Sequence, residues 1–415
     1  MHIIVIGAGV IGMTTAYFLK RDGHRVSVVD AQAGPGLATS MANGAQLSYS
    51  FVAPLADPAV LPKLPAWLLH KDSPLRLRLR ADPDQWRWGL SFLAACRQHA
   101  VRNTTVELLQ LGLYSRALLH DMVERERLDF HFKSSGKLLV YQDAAAYAGA
   151  LAQVRYQATL GCEQFPLDRA ACLALEPALA DIASRIAGGI FTPTEDAGDC
   201  GALCAELART LAAQPDPVGF HFNTEVRGLR AQRGRIVAID TADGPMEGDG
   251  YVIANGIGAQ RLARRAGMNP LIYPLKGYSL TYELTDRSIA PLTSLSDIHN
   301  KVVYARLGNR LRVAGMVDIG DRSAAIDARR VASLKGQVER YLPRLRAADE
   351  PQAWAGLRPA RPDGKPLIGA TPYRNLWINA GHGGLGFTLA AGSAGLLADR
   401  IAQRPSTISE HLFTL

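Results

Sequence analysis

Three glycines and one acid, at fixed distances, give this chain its first chemistry. Gly7, Gly9 and Gly12 stand between an apolar run, His2-Ile3-Ile4-Val5-Ile6, and a helical pattern that reaches Asp22. A second run, Val26-Ser27-Val28-Val29, ends in Asp30, eighteen residues beyond Gly12. Strand, glycine turn, helix, strand and terminal acid together make a dinucleotide site. Gly7 permits the tight turn, Gly9 lets the backbone approach a pyrophosphate, and Gly12 lets the helix pack closely on the strand. The first N–H groups of the helix, at Val10 and Ile11, face the phosphates. A carboxylate at Asp30 accepts hydrogen bonds from a ribose 2′-OH and repels a 2′-phosphate, so FAD or NAD is expected in preference to NADP.

A second glycine-rich turn narrows the cofactor. Leu376-Trp377-Ile378-Asn379-Ala380 reads as a buried strand entering Gly381-His382-Gly383-Gly384-Leu385-Gly386, followed by a helix from Thr388 to Gln403. This turn lacks the spacing of the first and has no trailing acid, so it is not a second NAD site. A helix N-terminus there suits negative charge on a reduced flavin. FAD needs two such anchors and NAD only one. No third fingerprint for NADPH and no CxxxxC redox pair occurs in the sequence. The reducing equivalents are therefore expected from an organic substrate.

The elements that position these turns follow from periodicity. Segment 84–130 has apolar residues at spacings of three and four and reads as helices, as do Ala144 to Leu160 and Ala202 to Ala213. Gly136 to Tyr141 and Gly188 to Phe191 read as strands, the latter entering the polar loop Thr192 to Asp199. Gly219 to Phe222 and Thr224 to Val226 read as short strands. Arg235–Asp240 turns through Gly244 into Tyr251–Ala254 as a hairpin that ends at Asn255-Gly256. Alternating strands continue at Tyr278–Leu284, Val302–Ala305 and Arg310–Met316, an antiparallel block. The expected fold is α/β, with a discontinuous Rossmann-like FAD-binding domain (1–85, 185–260 and 350–415). Into it is inserted an α+β substrate domain (86–184 and 261–349) on a mixed, largely antiparallel sheet.

Composition sets the outer limits. The 415 residues suffice for two or three domain-sized units, and 48% hydrophobic with 20% charged residues describes a soluble globular enzyme. No run of eighteen apolar residues predicts a membrane span. The first strand begins at residue 2, which leaves no room for a cleavable leader and predicts a cytoplasmic protein. Cys96, Cys162, Cys172, Cys200 and Cys204 form no CxxC pair and are odd in number, so buried or free thiols are expected, with no metal site. The net charge of +8 comes without a basic cluster interleaved with aromatics, so no nucleic-acid partner is expected. Leu61 to Arg80, followed by Trp86 and Trp88, mixes leucines, Trp67 and basic residues. It reads either as an ordinary helix and strand on the domain surface or as a peripheral contact with the inner face of the cell membrane. Pro62, Pro65 and Pro74 break any long helix there.

Several segments resemble the FAD-dependent D-amino acid dehydrogenases: Asn43 to Ser48, Glu195 to Cys200, Tyr273 to Leu280, Arg358 to Gly369, Ala370 to Trp377, and Gly381-His382-Gly383. The likeness covers nearly the whole chain. Glycine oxidase, sarcosine oxidase and D-amino acid oxidase are more distant in resemblance. The resemblance implies oxidation of a D-amino acid to an imino acid, which water hydrolyses to a 2-oxo acid and ammonia. It also implies electron transfer to a quinone-type acceptor at the membrane. The chain departs from the family at Met41, often an aromatic; at Gly384, commonly threonine; at Phe387, in place of tryptophan; and around Tyr304. These positions lie on the expected flavin or substrate side. The alternative reading is an oxidase of glycine, sarcosine, D-proline or hydroxy-D-proline type, using O2 or another acceptor. A non-catalytic FAD-binding subunit fits less well with Arg358 and the nearby tyrosines.

Hydride transfer from Cα to flavin N5 needs positioning more than a strong acid or base. Arg358 is the expected carboxylate clamp, because a guanidinium grips a carboxylate through two parallel bonds. The resemblance places the carboxylate arginine of amine-oxidising relatives at this position; Arg361 is the lesser candidate, and a surface arginine the bland alternative. Tyr278 and Tyr304 are expected to close the pocket or else simply to pack. His382, at a helix start, is expected to be neutral, either as a hydrogen-bond donor near the flavin or as a plain loop residue. The flavin contacts expected are Gly7, Gly9, Val10, Ile11, Gly12, Asp30 and Ala31 at the first turn, and Ser40, Asn43, Gly44, Gln46 and Leu47 after it. Val226, Asn255 and Gly256 are expected in the middle of the chain. Gly356, Arg358, Gly383, Gly384, Leu385, Gly386, Phe387 and Thr388 complete the set near the C-terminus. FAD is expected to be held without a covalent bond.

Overall fold

The structure, a computed structural model, describes residues 1–415 except 53, 66–72, 410 and 415. Two sheets organise the chain. The first has six strands in the order Leu367–Ala370, Leu376–Ala380, Gly250–Ile253, His2–Ile6, Arg25–Val29, Gly219–His221. All neighbours are parallel except Leu367–Ala370, which runs against Leu376–Ala380. The central strands are almost continuously apolar because helices cover both faces, as parallel sheets require. Helix Val10–Arg21 packs against helix Gly386–Ile401, with Met13, Ala16, Leu389 and Ala394 in one core cluster. Thr14 Oγ1 donates to the Ala390 carbonyl (3.3 Å) and Asn379 Nδ2 to Thr15 Oγ1 (3.1 Å), joining the two ends of the chain.

The second sheet has nine strands and is largely antiparallel. Its path runs Gln352–Ala360, Tyr273–Glu283, Arg310–Ile319, Val302–Leu307, Ser294–Asp297, Lys137–Tyr141, Gly188–Thr192, Phe165–Leu167, with Leu75–Leu77 paired in parallel to Arg310–Ile319. Directly opposed residues share a face. Tyr278, Leu280, Val313 and Tyr304 therefore lie on one face, where Leu334, Val338 and Tyr341 of helix Ala328–Tyr341 cover them. Gly277, Ser279, Gly356 and Arg358 lie on the other. Both sheets bear out the expected α/β architecture with a parallel nucleotide sheet and a mixed, mainly antiparallel partner.

Several local expectations change. Arg235–Thr241 does turn back through Gly244–Met246, but this hairpin stays in a separate three-stranded sheet. Gly250–Ile253 instead enters the parallel sheet between His2–Ile6 and Leu376–Ala380. Thr224 to Val226 forms no ladder; the Thr224 N–H donates to the Asp30 carbonyl and the Asn223 N–H to that of Gln32. Gly188–Thr192 and Gln352–Ala360, assigned in sequence to the nucleotide domain, pair in the nine-stranded sheet. All five cysteines are free and buried. Of the Leu61 to Arg80 segment, residues 66–72 lie outside the described residues; Pro58–Lys63 is a 3-10 helix and Leu75–Leu77 a strand. No described helix is long and apolar enough to cross a membrane.

Candidate active site

Parallel strands end on one edge, so their terminal loops converge. Gly7 follows His2–Ile6, Asp30 follows Arg25–Val29, Asn255 and Gly256 follow Gly250–Ile253, and His382 and Gly383 follow Leu376–Ala380. Gly7 has φ +115, and a Cβ there would lie 2.6 Å from the Ala254 carbonyl oxygen. A Cβ on Gly12 would lie 1.8 Å from the Gly7 carbonyl oxygen. Backbone thus packs on backbone, as the glycine spacing predicts. At Gly9 the nearest atom to a Cβ would be Ser40 Oγ at 3.4 Å, so the front of the turn stays open.

Polar groups line this edge. Ser40 Oγ accepts from the Val10 N–H (3.0 Å) at the helix start. Asp30 accepts from the N–H groups of Ala8 (2.6 Å) and Gln32 (2.7 Å), fixing the carboxylate while lone pairs remain for a ribose. Asn255 Oδ1 is buried with no hydrogen-bond partner among the described residues, and a Cβ on Gly256 would meet nothing within 4 Å. An open glycine turn, a fixed acid and an unmatched buried amide fit a dinucleotide.

The segment after Ser40 crosses from this edge to the second sheet. Ser279 Oγ donates to the Ala42 carbonyl (2.7 Å), and Arg312 Nη1 to that of Asn43 (3.2 Å). Gly44 lies against Val303, whose Cγ2 would be 3.0 Å from a Cβ there. The Gln46 side-chain amide donates to the carbonyls of Leu295 (2.9 Å) and Tyr304 (3.1 Å). The Ser48 N–H donates to Thr388 Oγ1 (3.1 Å) in the first turn of the C-terminal helix. Residues 40–48 are therefore pinned to the sheet face that carries Arg358, beside the second glycine turn.

Arg358 sits at the centre of that arrangement. Its guanidinium covers Gly277, where a Cβ would come within 2.3 Å of Nη2, and its Cδ would lie 4.0 Å from a Cβ on Gly384. Gly277 and Gly356 are direct cross-strand partners, and the indole of Trp354 covers Gly356 as the guanidinium covers Gly277. Two residues without side chains make a floor for one cation and one aromatic ring. Arg358 Nη1 donates to the Met316 carbonyl at 3.3 Å. Met316, φ +59, lies where the register between Arg310–Ile319 and Tyr273–Glu283 shifts, a bulge that re-aims the backbone. Burial lowers the pKa of Arg358, and no carboxylate pairs with it among the described residues. Arg358 is half-buried, and a cation drawn partly out of water without an anion is a place for a ligand to supply one.

The other expected catalytic groups lie elsewhere. Tyr278 and Tyr304 point to the opposite face of the sheet. Tyr278 donates to Asp318 (3.0 Å), which also pairs with Arg76 and Arg330. Tyr304 is fully buried and stacks on Tyr341 with ring centroids 5.5 Å apart; its hydroxyl has no partner among the described residues. Both are core residues, because period-two alternation sets Tyr278 and Gly277 on opposite sides. Leu47, Val226 and Phe387 are likewise buried in apolar clusters, with Phe387 edge-on to Phe130. Arg361 donates to the carbonyls of Pro270 and Lys365 and braces the loop.

His382 is 2% exposed and its Nε2 lies 2.9 Å from Ser393 Oγ inside the C-terminal helix. Burial lowers its pKa from 6.5 to about 3, so it is neutral, as expected, but it acts as a structural link. The stability that neutral His382 contributes is whole above pH 6.5 and is lost as pH falls from there toward 3. His382→Gln should therefore lose about 2 kcal/mol less than the parent protein between pH 7.5 and pH 5, measured by denaturant unfolding. Equal losses would show that the ring is not buried neutral.

Sequence reasoning missed Lys137 and Glu195. Lys137 is fully buried at the start of its strand and donates to Ser48 Oγ (2.6 Å). Burial, partly offset by Glu195, lowers its pKa to about 8. Glu195 accepts from the N–H groups of Tyr49 (2.6 Å) and Ser50 (2.7 Å). The two hold the 46–50 segment from behind. A single lysine in the apolar strand Gly136 to Tyr141 was the available signal.

Comparison with known proteins gives the family and the fold. The profile of the family described as FAD dependent oxidoreductase matches residues 2–400. A protein of Ralstonia nicotianae named D-amino acid dehydrogenase 2 is 47% identical over 424 residues, covering 100% of both chains. One of the same name from Pseudomonas aeruginosa is 45% identical, covering 98% of this chain and 96% of its own. The crystal structure of glycine oxidase from Geobacillus kaustophilus superposes with a TM-score of 0.80 at 22% identity, covering 100% of this chain and 97% of that one, and so shares the fold.

Proposed function

From the chain's membership of the FAD-dependent oxidoreductase family, to which it belongs over nearly its whole length, we propose that it oxidises a D-amino acid to the imino acid, which water hydrolyses to a 2-oxo acid and ammonia. The carrying observation is Arg358, a half-buried guanidinium without a carboxylate partner among the described residues, next to the second glycine turn. It takes the substrate carboxylate, and Trp354 offers an aromatic wall across the glycine floor. The names of relatives at 45–47% identity support the D-amino acid as substrate. The word dehydrogenase in those names supports an acceptor other than O2, and a quinone-type acceptor is part of the proposed reading.

FAD is held at the converging loop ends. Gly9 and the N–H groups of the first helix turn take the pyrophosphate, Asp30 takes a ribose, and residues 43–48 with the Gly383–Gly386 turn flank the ring. When bound, FAD accepts the hydride from the substrate Cα. Hydride transfer asks the protein for position more than for a strong base, and the proton of the substrate ammonium is assigned to water. The cofactor is held without a covalent bond, because His382 is engaged with Ser393.

The test is anaerobic mixing of the purified holoprotein with D- and L-amino acids while flavin absorbance is followed. Bleaching by D-amino acids, with L-enantiomers at least about a hundredfold slower, is the expected result. No bleaching by any D-amino acid would defeat the reading. Faster reoxidation by a quinone analogue than by air would identify the acceptor class, and the reverse would make the protein an oxidase.

A further inference from the structure

A buried lysine or arginine calls for an anion beside it. Arg76, Lys276, Arg312 and Arg330 are buried, and each has one: Asp318 for Arg76 and Arg330, Asp321 for Lys276 (3.0 Å), Asp199 for Arg312 (3.8 Å). Lys137 is the exception. It is 3% exposed and forms no ion pair among the described residues. Its Nζ donates to Ser48 Oγ (2.6 Å) and lies 4.8 Å from the centre of the Phe51 ring. Glu195 is the carboxylate whose field it feels, but Glu195 is already held by the N–H groups of Tyr49 and Ser50.

The ammonium stands directly behind the segment assigned to flank the flavin ring. Ser48 links it to the second glycine turn: its Oγ accepts from Lys137, and its N–H donates to Thr388 Oγ1 (3.1 Å) in the first turn of helix Gly386–Ile401. The positive end of that helix and the ammonium therefore act on the same place. Burial lowers the pKa of Lys137 to about 8, which leaves the group charged at pH 7. In the proposed reaction the substrate Cα–H bond breaks, its electron pair and hydrogen go to flavin N5, and the nitrogen lone pair closes the imine. One negative charge thus passes to a neutral ring. An anion arises during turnover beside a cation that has no counter-ion at rest, in a site where water does not screen the pair.

We propose that Lys137 is a positioning residue for the reaction: it holds Ser48 in the flavin-flanking segment and lends a buried positive charge that stabilises the reduced flavin. The inference rests on the FAD site proposed above and goes beyond it, since neither glycine turn nor Arg358 calls for a lysine in this strand.

The reduction potential of the bound flavin tests it, measured on the holoprotein by dithionite titration against a reference dye with no amino acid present. Lys137→Gln keeps a donor for Ser48 without the charge, Lys137→Met removes both, and Lys137→Arg keeps the charge. The two neutral variants should keep their flavin and make its two-electron reduction about tenfold less favourable, a fall of about 30 mV. Lys137→Arg should stay within about twofold of the parent equilibrium. With a D-amino acid, the limiting rate of bleaching should fall in the neutral variants while half-saturation, set by Arg358, holds. Should Lys137→Met fail to fold, Lys137→Gln decides alone. An unchanged potential in Lys137→Gln overturns the proposal, as does an equal fall in Lys137→Arg or loss of flavin from Lys137→Gln. A parent protein that dithionite reduces but no D-amino acid bleaches strikes the proposed substrate, not the role of Lys137.

Discussion

Arg358→Ala purifies yellow, with its full complement of flavin, and loses on the order of a thousandfold in the rate constant for flavin bleaching at low D-amino acid concentration. The size follows from the environment. A buried, hydrogen-bonded charge pair broken by truncating one partner costs about 2–5 kcal/mol, and each 1.36 kcal/mol is tenfold in rate. Arg358 has no protein anion to release when it is removed, so little is recovered elsewhere. The flavin should stay because the first glycine turn, Asp30 and the 40–48 segment hold their geometry through other partners. Arg358→Lys keeps the charge but not the planar fork, and should recover at most about a tenth of the parent rate. The loss should appear as weaker saturation as well as a lower limiting rate, since the carboxylate both binds the substrate and aims its Cα. Bleaching of Arg358→Ala at the parent rate would remove the carboxylate clamp and with it the main support for an amino-acid substrate.

Gly12→Ala is the second large effect, and its physics is different. The new methyl group would sit 1.8 Å from the Gly7 carbonyl oxygen, so helix Val10–Arg21 must leave the strand it packs on. Overpacking of this kind costs about 1–3 kcal/mol and here acts on backbone, which has nowhere to turn. The variant should show a lower unfolding midpoint and retain little flavin after gel filtration. Gly9→Ala separates stability from binding: its methyl group meets only Ser40 Oγ at 3.4 Å, an ordinary contact. That variant should unfold like the parent protein yet bind FAD at least about tenfold more weakly, because the methyl group stands where the pyrophosphate approaches. A flavin-replete Gly12→Ala protein with an unchanged midpoint would refute the close packing of helix on strand.

These two cases show what the sequence could carry. Gly7, Gly9, Gly12 and Asp30 are neighbours along the chain, and their geometry is local; period and spacing reveal it. Arg358 was legible because a cation in a proline-flanked strand, read with the family resemblance, had a specific job. Tyr278 and Tyr304 were misplaced for a reason of parity. In a strand covered on both faces, alternation does not announce which face meets the ligand. Only the partner strands decide, and those lie dozens of residues away. The bulge that presents the Met316 carbonyl, and the pairing of Gly277 with Gly356 beneath Arg358 and Trp354, are likewise products of register between distant segments. Lys137 and Glu195 escaped notice because their contacts with 48–50 join three separate stretches.

The parallel sheet takes its third strand in chain order from residues 219–221, its fourth from 250–253 and its last two from 367–380, while helix Gly386–Ile401 packs on the helix that follows the first turn. During synthesis, the opening glycine turn therefore emerges from the ribosome long before the surfaces that must close over it. A nascent chain of 350 residues still lacks the second glycine turn, Arg358 and the helix that buries Met13 and Ala16. The site is complete only when residues 358–401 have joined the opening turn, so those residues decide whether a half-folded chain can become a flavoprotein. C-terminal truncations should accumulate as colourless, protease-sensitive material, however intact the fingerprint at the other end.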